Sequence, residues 1–174
     1  MNKENNAKLY KVELNDMGDH IDISTGDTEL FDRFRETYKQ IAEAAKDLPR
    51  RYGEIDKVRT IPGHENKIVE KIRIKVRFCK ESAEKIDGIF GQGTLRKYFS
   101  SLYEEIPDFV PETECFIDFY NQMIPVLEGL FGCRVDDSEK KRIRSMRKYV
   151  NFDGQISGGN KVVLNRRKRH GEKH

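Results

Sequence analysis

Few residues of this chain are of a type and spacing that could do chemistry, and the densest group of them is glycine. Gly88, Gly91 and Gly93 fall within "KIDGIFGQGTLRKYF", residues 85–99, just ahead of a helical run that opens at Thr94. Backbone N–H groups in such a loop can cradle a phosphate at a helix N-terminus. The other parts of that chemistry are missing. A P-loop places Lys-Ser or Lys-Thr after its last glycine, whereas Gly93 is followed by Thr94, Leu95 and Arg96. A dinucleotide fingerprint needs a third glycine, and none follows Gly93. The stretch therefore reads as a turn in which glycine supplies positive φ and Thr94 caps the next helix. Phe90, Gly91, Gly93 and Thr94 are its structural residues.

The remaining candidates are scattered. Of the four histidines, His20 falls in a predicted hairpin, His64 in a P-G-H-E turn, and His170 and His174 in "HGEKH" near the end of the chain. That last spacing is i, i+4, but Glu172 stands third where the zinc-protease pattern has it second. Asp16 and Asp19 suit a hairpin loop, and Asp136 and Asp137 suit the dipole at a helix N-terminus. Cys79, Cys115 and Cys133 are an odd, widely spaced set with no C-x-x-C pair, which reads as reduced thiols of a cytoplasmic protein. No Ser or Cys lies in a nucleophile motif. The expectation is a non-enzymatic protein with no catalytic residue, no cofactor and no metal.

The elements that would position these residues are mostly helical. "LYKVEL" and "HIDIST", residues 9–14 and 20–25, alternate apolar and polar around "NDMGD", the pattern of a short hairpin. From Asp27, a plausible cap, Leu30, Phe34, Tyr38, Ile41, Ala45 and Leu48 recur on one helical face, with Pro49 as the expected stop. "RRYGEIDKVRTIPGHEN" then reads as a connection broken by Gly53, Pro62 and Gly63.

Residues 70–78 alternate as a strand would, yet Ile68, Ile72, Val76, Cys79, Ala83 and Ile86 form a longer helical stripe. Length favours a helix over 65–87. A short helix follows the glycine turn and ends before Pro107. After the linker "IPDFVPE" comes an apolar helix that faces the core with Cys115 or Phe116, then Phe119, Tyr120, Met123 and Leu127. Pro125 is expected to kink it and Gly132 to end it. The predicted fold is mainly α, four to five helices with an N-terminal β-hairpin. Residues 1–8 read as a flexible N-terminus, 9–150 as the helical domain, and 151–174 as a flexible basic tail.

Charge is divided unevenly. Residues 134–174 carry 13 Lys and Arg against 5 Asp and Glu, so the net +3 of the whole chain covers an acidic body with a basic end. "KKRIRSMRK" and "NRRKRHGEK" concentrate that charge, including Arg144, Arg147, Lys148, Arg166, Arg167, Lys168 and Arg169. These runs suit contact with an acidic protein surface, or with phosphates as the less favoured alternative. Tyr149 and Phe152 lie between the runs, so no base-stacking platform is evident. No apolar run approaches the ~20 residues that span a bilayer, so no membrane partner is expected.

In order, "IDGIFGQGTLRKYF", a proline-bearing linker, "FIDFYNQMIPVLE" and "RIRSMRKYV" resemble the tail assembly chaperones of long-tailed phages and prophages of Gram-positive bacteria. The F-G-x-G-T turn of that family matches Phe90, Gly91, Gly93 and Thr94. Its aromatic helix with a central proline matches Phe116, Phe119, Tyr120, Ile124 and Pro125, and its R-x-x-K-Y ending matches Arg144, Arg147, Lys148 and Tyr149. The resemblance implies a non-enzymatic chaperone in the bacterial cytoplasm. It would bind the tape measure protein, often recruit tail tube subunits, and have scope to self-associate. The stripes 30–48 and 116–131 would then offer an apolar groove, with Phe116, Phe119, Tyr120, Met123 and Leu127 as candidate contacts.

Overall fold

A computed structural model describes residues 6–59 and 66–152. The chain opens with an antiparallel hairpin, β1 (Leu9–Glu13) and β2 (His20–Ser24), in the register Lys11 opposite Asp22. Its inner face is set by period-2 alternation: Ile21 and Ile23 are buried while Asp22 between them is exposed. Asn15 closes the loop, its side-chain oxygen accepting from the Met17 and Asp19 amides. Its amide nitrogen donates to the carbonyl of Lys97, tying the hairpin to the helical body.

Helix α1 (Leu30–Lys57) and helix α2 (Lys67–Phe90) form the frame. The short α3 (Thr94–Tyr98) and α4 (Ser100–Glu105) follow the glycine turn, and α5 (Thr113–Phe131) is the most apolar helix. Helices α6 (Asp137–Arg144) and α7 (Arg147–Val150) close the described part. The fold is thus mainly helical with an N-terminal hairpin, and the stretch 70–78 is helix. Alternation there is a coincidence of composition, because Phe78 is buried while Ile72 points outward.

Two expected boundaries are corrected. Pro49 does not stop α1, which continues through Gly53 to Lys57. A mid-helix proline loses one hydrogen bond and crowds the preceding turn, at about 3 kcal/mol. Packing on both sides offsets this: Leu48 and Tyr52 are fully buried, and the Tyr52 hydroxyl donates to the carbonyl of Val150 at 2.8 Å. Asp27 does not cap α1 either. The N-cap residue is Glu29, and the Asp27 carboxylate is taken by a paired contact with Arg33, at 3.0 and 2.6 Å. α5 likewise runs through Pro125, with Ile124 and Leu127 buried on either side, and ends at Gly132 in left-handed conformation.

The core is a stack of aromatic rings between α1 and α5. Phe34 lies parallel to Tyr120 with centroids 5.3 Å apart, and Tyr38 meets the same ring at 4.6 Å. The Tyr38 hydroxyl donates to the carbonyl of Phe116 at 3.0 Å, and burial pushes its pKa well above the ordinary tyrosine value. At the far end, Phe152 is buried against Tyr52 with centroids 4.9 Å apart. The packed body therefore reaches two residues beyond the expected boundary at 150. The rest of the predicted tail, including Arg166, Arg167, Lys168 and Arg169, lies outside the described residues.

Candidate functional site

The glycine turn comes first, because it is where an anion would sit if this were a phosphate loop. Gly91 and Gly93 have φ of +116° and +80°, a region that favours residues without Cβ. The turn amides already have an anionic partner within the chain. The carboxylate of Asp87, in the last turn of α2, accepts from the N–H of Gly93 at 3.0 Å and of Leu95 at 2.9 Å. One carboxylate thus occupies the two donors that a phosphate oxygen would use. Thr94 is not the cap. The N-cap position is Gly93, and Thr94 is the buried first residue of α3, its hydroxyl donating to the carbonyl of Gly91 at 2.7 Å. Phe90 packs against Phe34 and Phe119, with centroids 6.1 and 5.9 Å away.

The candidate contacts on α5 are core residues. Phe116, Phe119, Tyr120, Met123 and Leu127 are each 2% exposed or less, so they are corrected from a partner-facing groove to the interior of the domain. The stripe 30–48 on α1 is buried with them. The reason is mutual: each helix supplies the cover that the other's aromatic face requires. The Tyr120 hydroxyl is buried without a hydrogen-bond partner among the described residues, and burial raises its pKa.

Of the basic candidates, Arg144, Arg147 and Lys148 are on the surface. Arg147 pairs with Glu114 of α5 at 3.3 Å, while Arg144 and Lys148 are exposed without an ion pair among the described residues. The structure does not bring them together with the α5 residues, which face inward.

Among the described residues no cluster of His, Cys, Asp and Glu could hold a metal ion. His20 reaches the carbonyl of Gly18 and lies 3.8 Å from Asp22; His64, His170 and His174 are outside the described residues. Burial pushes the Cys79 thiol up to about 12 and raises the half-buried Cys115 as well. Cys133 is exposed and donates to the carbonyl of Phe131 at 3.5 Å. No described helix is long and apolar enough to cross a membrane.

One apolar surface is not marked by the buried stripes of the sequence. Val69 and Ile72, at the N-terminal end of α2, are 40% and 46% exposed. Beside them is a pocket of about 180 Å³ lined by Ile72, Lys75, Val76, Cys79, Val110, Glu112 and Phe152. A signal was available: residues 67–80 carry six Lys and Arg against a single acid, Glu70. A face so crowded with cations is hard to bury.

No protein-family model, no curated protein and no solved structure matches this chain. The likeness to tail assembly chaperones is therefore carried by the motif series alone.

Proposed function

We propose that this chain is a non-enzymatic assembly chaperone of phage tails, binding the tape measure protein and, as a second client, tail tube subunits in the host cytoplasm. The observation that carries this reading is the way the resembling segments pack. Phe90 of the F-G-x-G-T turn, Phe119 and Tyr120 of the aromatic helix, and Phe34 of α1 form one continuous set of ring contacts. Motifs that are far apart in sequence thus belong to one structural unit, as residues that define a common domain should. A long helical client has apolar stripes that stay exposed until the tail tube encloses it, and a holding protein must cover them.

The direct test is co-expression with a large tape measure protein, to be sought in the gene neighbourhood of this chain. That partner should remain in the soluble fraction with this protein and aggregate without it. Aggregation regardless of this protein would overturn the reading. The basic end adds a kinetic expectation. Replacing Arg166, Arg167, Lys168 and Arg169 with Ser should slow capture of an acidic client at low salt and leave the melting temperature unchanged, since steering charges act chiefly on association rate. An unchanged rate would assign these residues no part in capture.

A second reading, a nucleic-acid-binding accessory protein, is favoured by one observation: the exposed cations Lys141, Arg142, Arg144 and Lys148 share the short α6–α7 segment. A salt series decides it. DNA affinity that falls steeply with salt, and vanishes when these four residues become Ser, would support it over the chaperone.

A further inference from the structure

We propose that the exposed half of α2 and the adjoining pocket form a docking groove for an acidic amphipathic helix of a partner protein. This inference rests on the reading of the chain as a binding protein, but not on which client it holds. It begins with an apolar line that the described residues leave partly uncovered. Val69, Ile72 and Val76 recur at i, i+3 and i+7, so they share one face of α2, and that face turns away from the core. Where the line meets the connector before α5, the side chains of Ile72, Val76 and Val110 enclose the pocket, whose volume suits a single large anchoring side chain. An aliphatic line ending in an anchor pocket is how an amphipathic helix is gripped.

Charge selects the kind of helix. The acids beside the line are already engaged, Glu70 by Arg73 and Glu112 by Lys75 at 3.8 Å. Arg77 and Lys80, one turn beyond Arg73 and Val76, are exposed and have neither an ion pair nor a hydrogen bond among the described residues. A partner helix laid along the line would set one flank against these cations, so acidic flanks are favoured and basic ones repelled. Nucleic acid fits less well. The pocket is lined by Ile72, Val76, Val110 and Cys79 with the paired Lys75 and Glu112, and its one ring, Phe152, is buried against Tyr52 with no face open for a base.

The test is fluorescence anisotropy with the full chain and three labelled probes. One is a synthetic amphipathic helix with Leu along one face and Glu on both flanks. The second carries Lys in place of Glu, and the third is single-stranded DNA. The acidic helix should bind best and weaken as salt rises. Ile72→Glu should weaken it by about tenfold, as loss of a central contact does. Leu9→Glu, at an exposed apolar position on the hairpin, should leave it unchanged. Should Ile72→Glu disturb folding, the exposed pair Arg77→Glu and Lys80→Glu carries the test and should reverse the preference between the two helices.

Equal affinity for the acidic and basic helices would overturn the proposal, as would binding indifferent to Ile72→Glu or capture of DNA in place of the acidic helix. A dimer in sedimentation that Ile72→Glu dissociates would give the groove to a second copy and also overturn it. The chaperone reading fails separately, through co-expression: a tape measure protein kept soluble by the Ile72→Glu variant would leave that reading standing and remove the groove from it.

Discussion

Helix α1 and the first half of α2 have the same periodicity and opposite fates. Both place apolar residues three and four apart along a single face. On α1 the residues from Leu30 to Leu48 are buried, because α2, α6 and α7 pack on the helix and the rings of α5 stack onto Phe34 and Tyr38. On α2 burial is concentrated from Phe78 onward, and Val69 and Ile72 remain in solvent. Period establishes that a helix has an apolar face; it does not establish that the chain has anything to cover it. Composition separates the two more sharply. The α1 face is rich in aromatic rings, which have large areas to bury, whereas the α2 face is β-branched and crowded by cations that must stay hydrated.

The comparison is broken most directly by truncating one residue from each face. Phe34→Ala removes a fully buried ring that touches Tyr38, Phe90 and Tyr120, and should cost about 3–5 kcal/mol in urea unfolding. Ile72→Ala should stay within about 0.5 kcal/mol, as substitutions on open surface do. Similar losses for both would mean that the first half of α2 is covered in solution. Tyr52→Phe sharpens the contrast within α1. It keeps the ring but removes the buried hydrogen bond to Val150, and should cost about 1 kcal/mol.

These contrasts show which parts of the molecule were legible from residues alone. The hairpin and α1's stripe were, because alternation and helical spacing act locally. The extent of α1 was not. Pro49 and Gly53 are local stop signals, and they are overruled by Tyr52, whose partner Val150 lies 98 residues away. The cap on α3 was hidden for a similar reason. Asp87 belongs to the preceding helix, and only the turn made by Gly91 and Gly93 brings its carboxylate back. On α5 the residues with the largest apolar area are core, not contacts. Area of that size is what a domain spends on its own core, and the exposed α2 line is made of smaller residues.

The turn that ends α2 gives effects of intermediate size. Asp87→Ala leaves the Gly93 and Leu95 amides without their shared acceptor and should cost about 1–2 kcal/mol, the range seen for lost helix caps. Gly93→Ala meets no atom within 4 Å of the new Cβ, so steric crowding is not at issue; the strain is in φ of +80°. About 1 kcal/mol is expected. If phosphate raised the melting temperature of the wild type, and Asp87→Ala strengthened that rise, the carboxylate would be holding an anion's place. Insensitivity of both proteins to phosphate is the expected result.

A small, pH-dependent effect lies at the start of α1, where the buried stripe meets open solvent. The hydrogen-bonded Arg33 guanidinium holds the Asp27 carboxyl below its ordinary value of 3.8. A carboxyl whose pKa is depressed by folding stabilises the native state while it is ionised, above the unfolded value. That contribution fades as pH falls below 3.8 and through the lower folded pKa, because the unfolded chain takes up the proton first. Both side chains are more than 40% exposed, so water and salt screen the pair. Its worth belongs with exposed ion pairs, about 0.2–1 kcal/mol. Asp27→Asn should lower stability by that amount at pH 7 and converge with wild type in strong acid, with the gap narrowing in high salt. A gap that persisted unchanged at low pH would show that the loss comes from the way the amide fits against Arg33 and not from the missing charge.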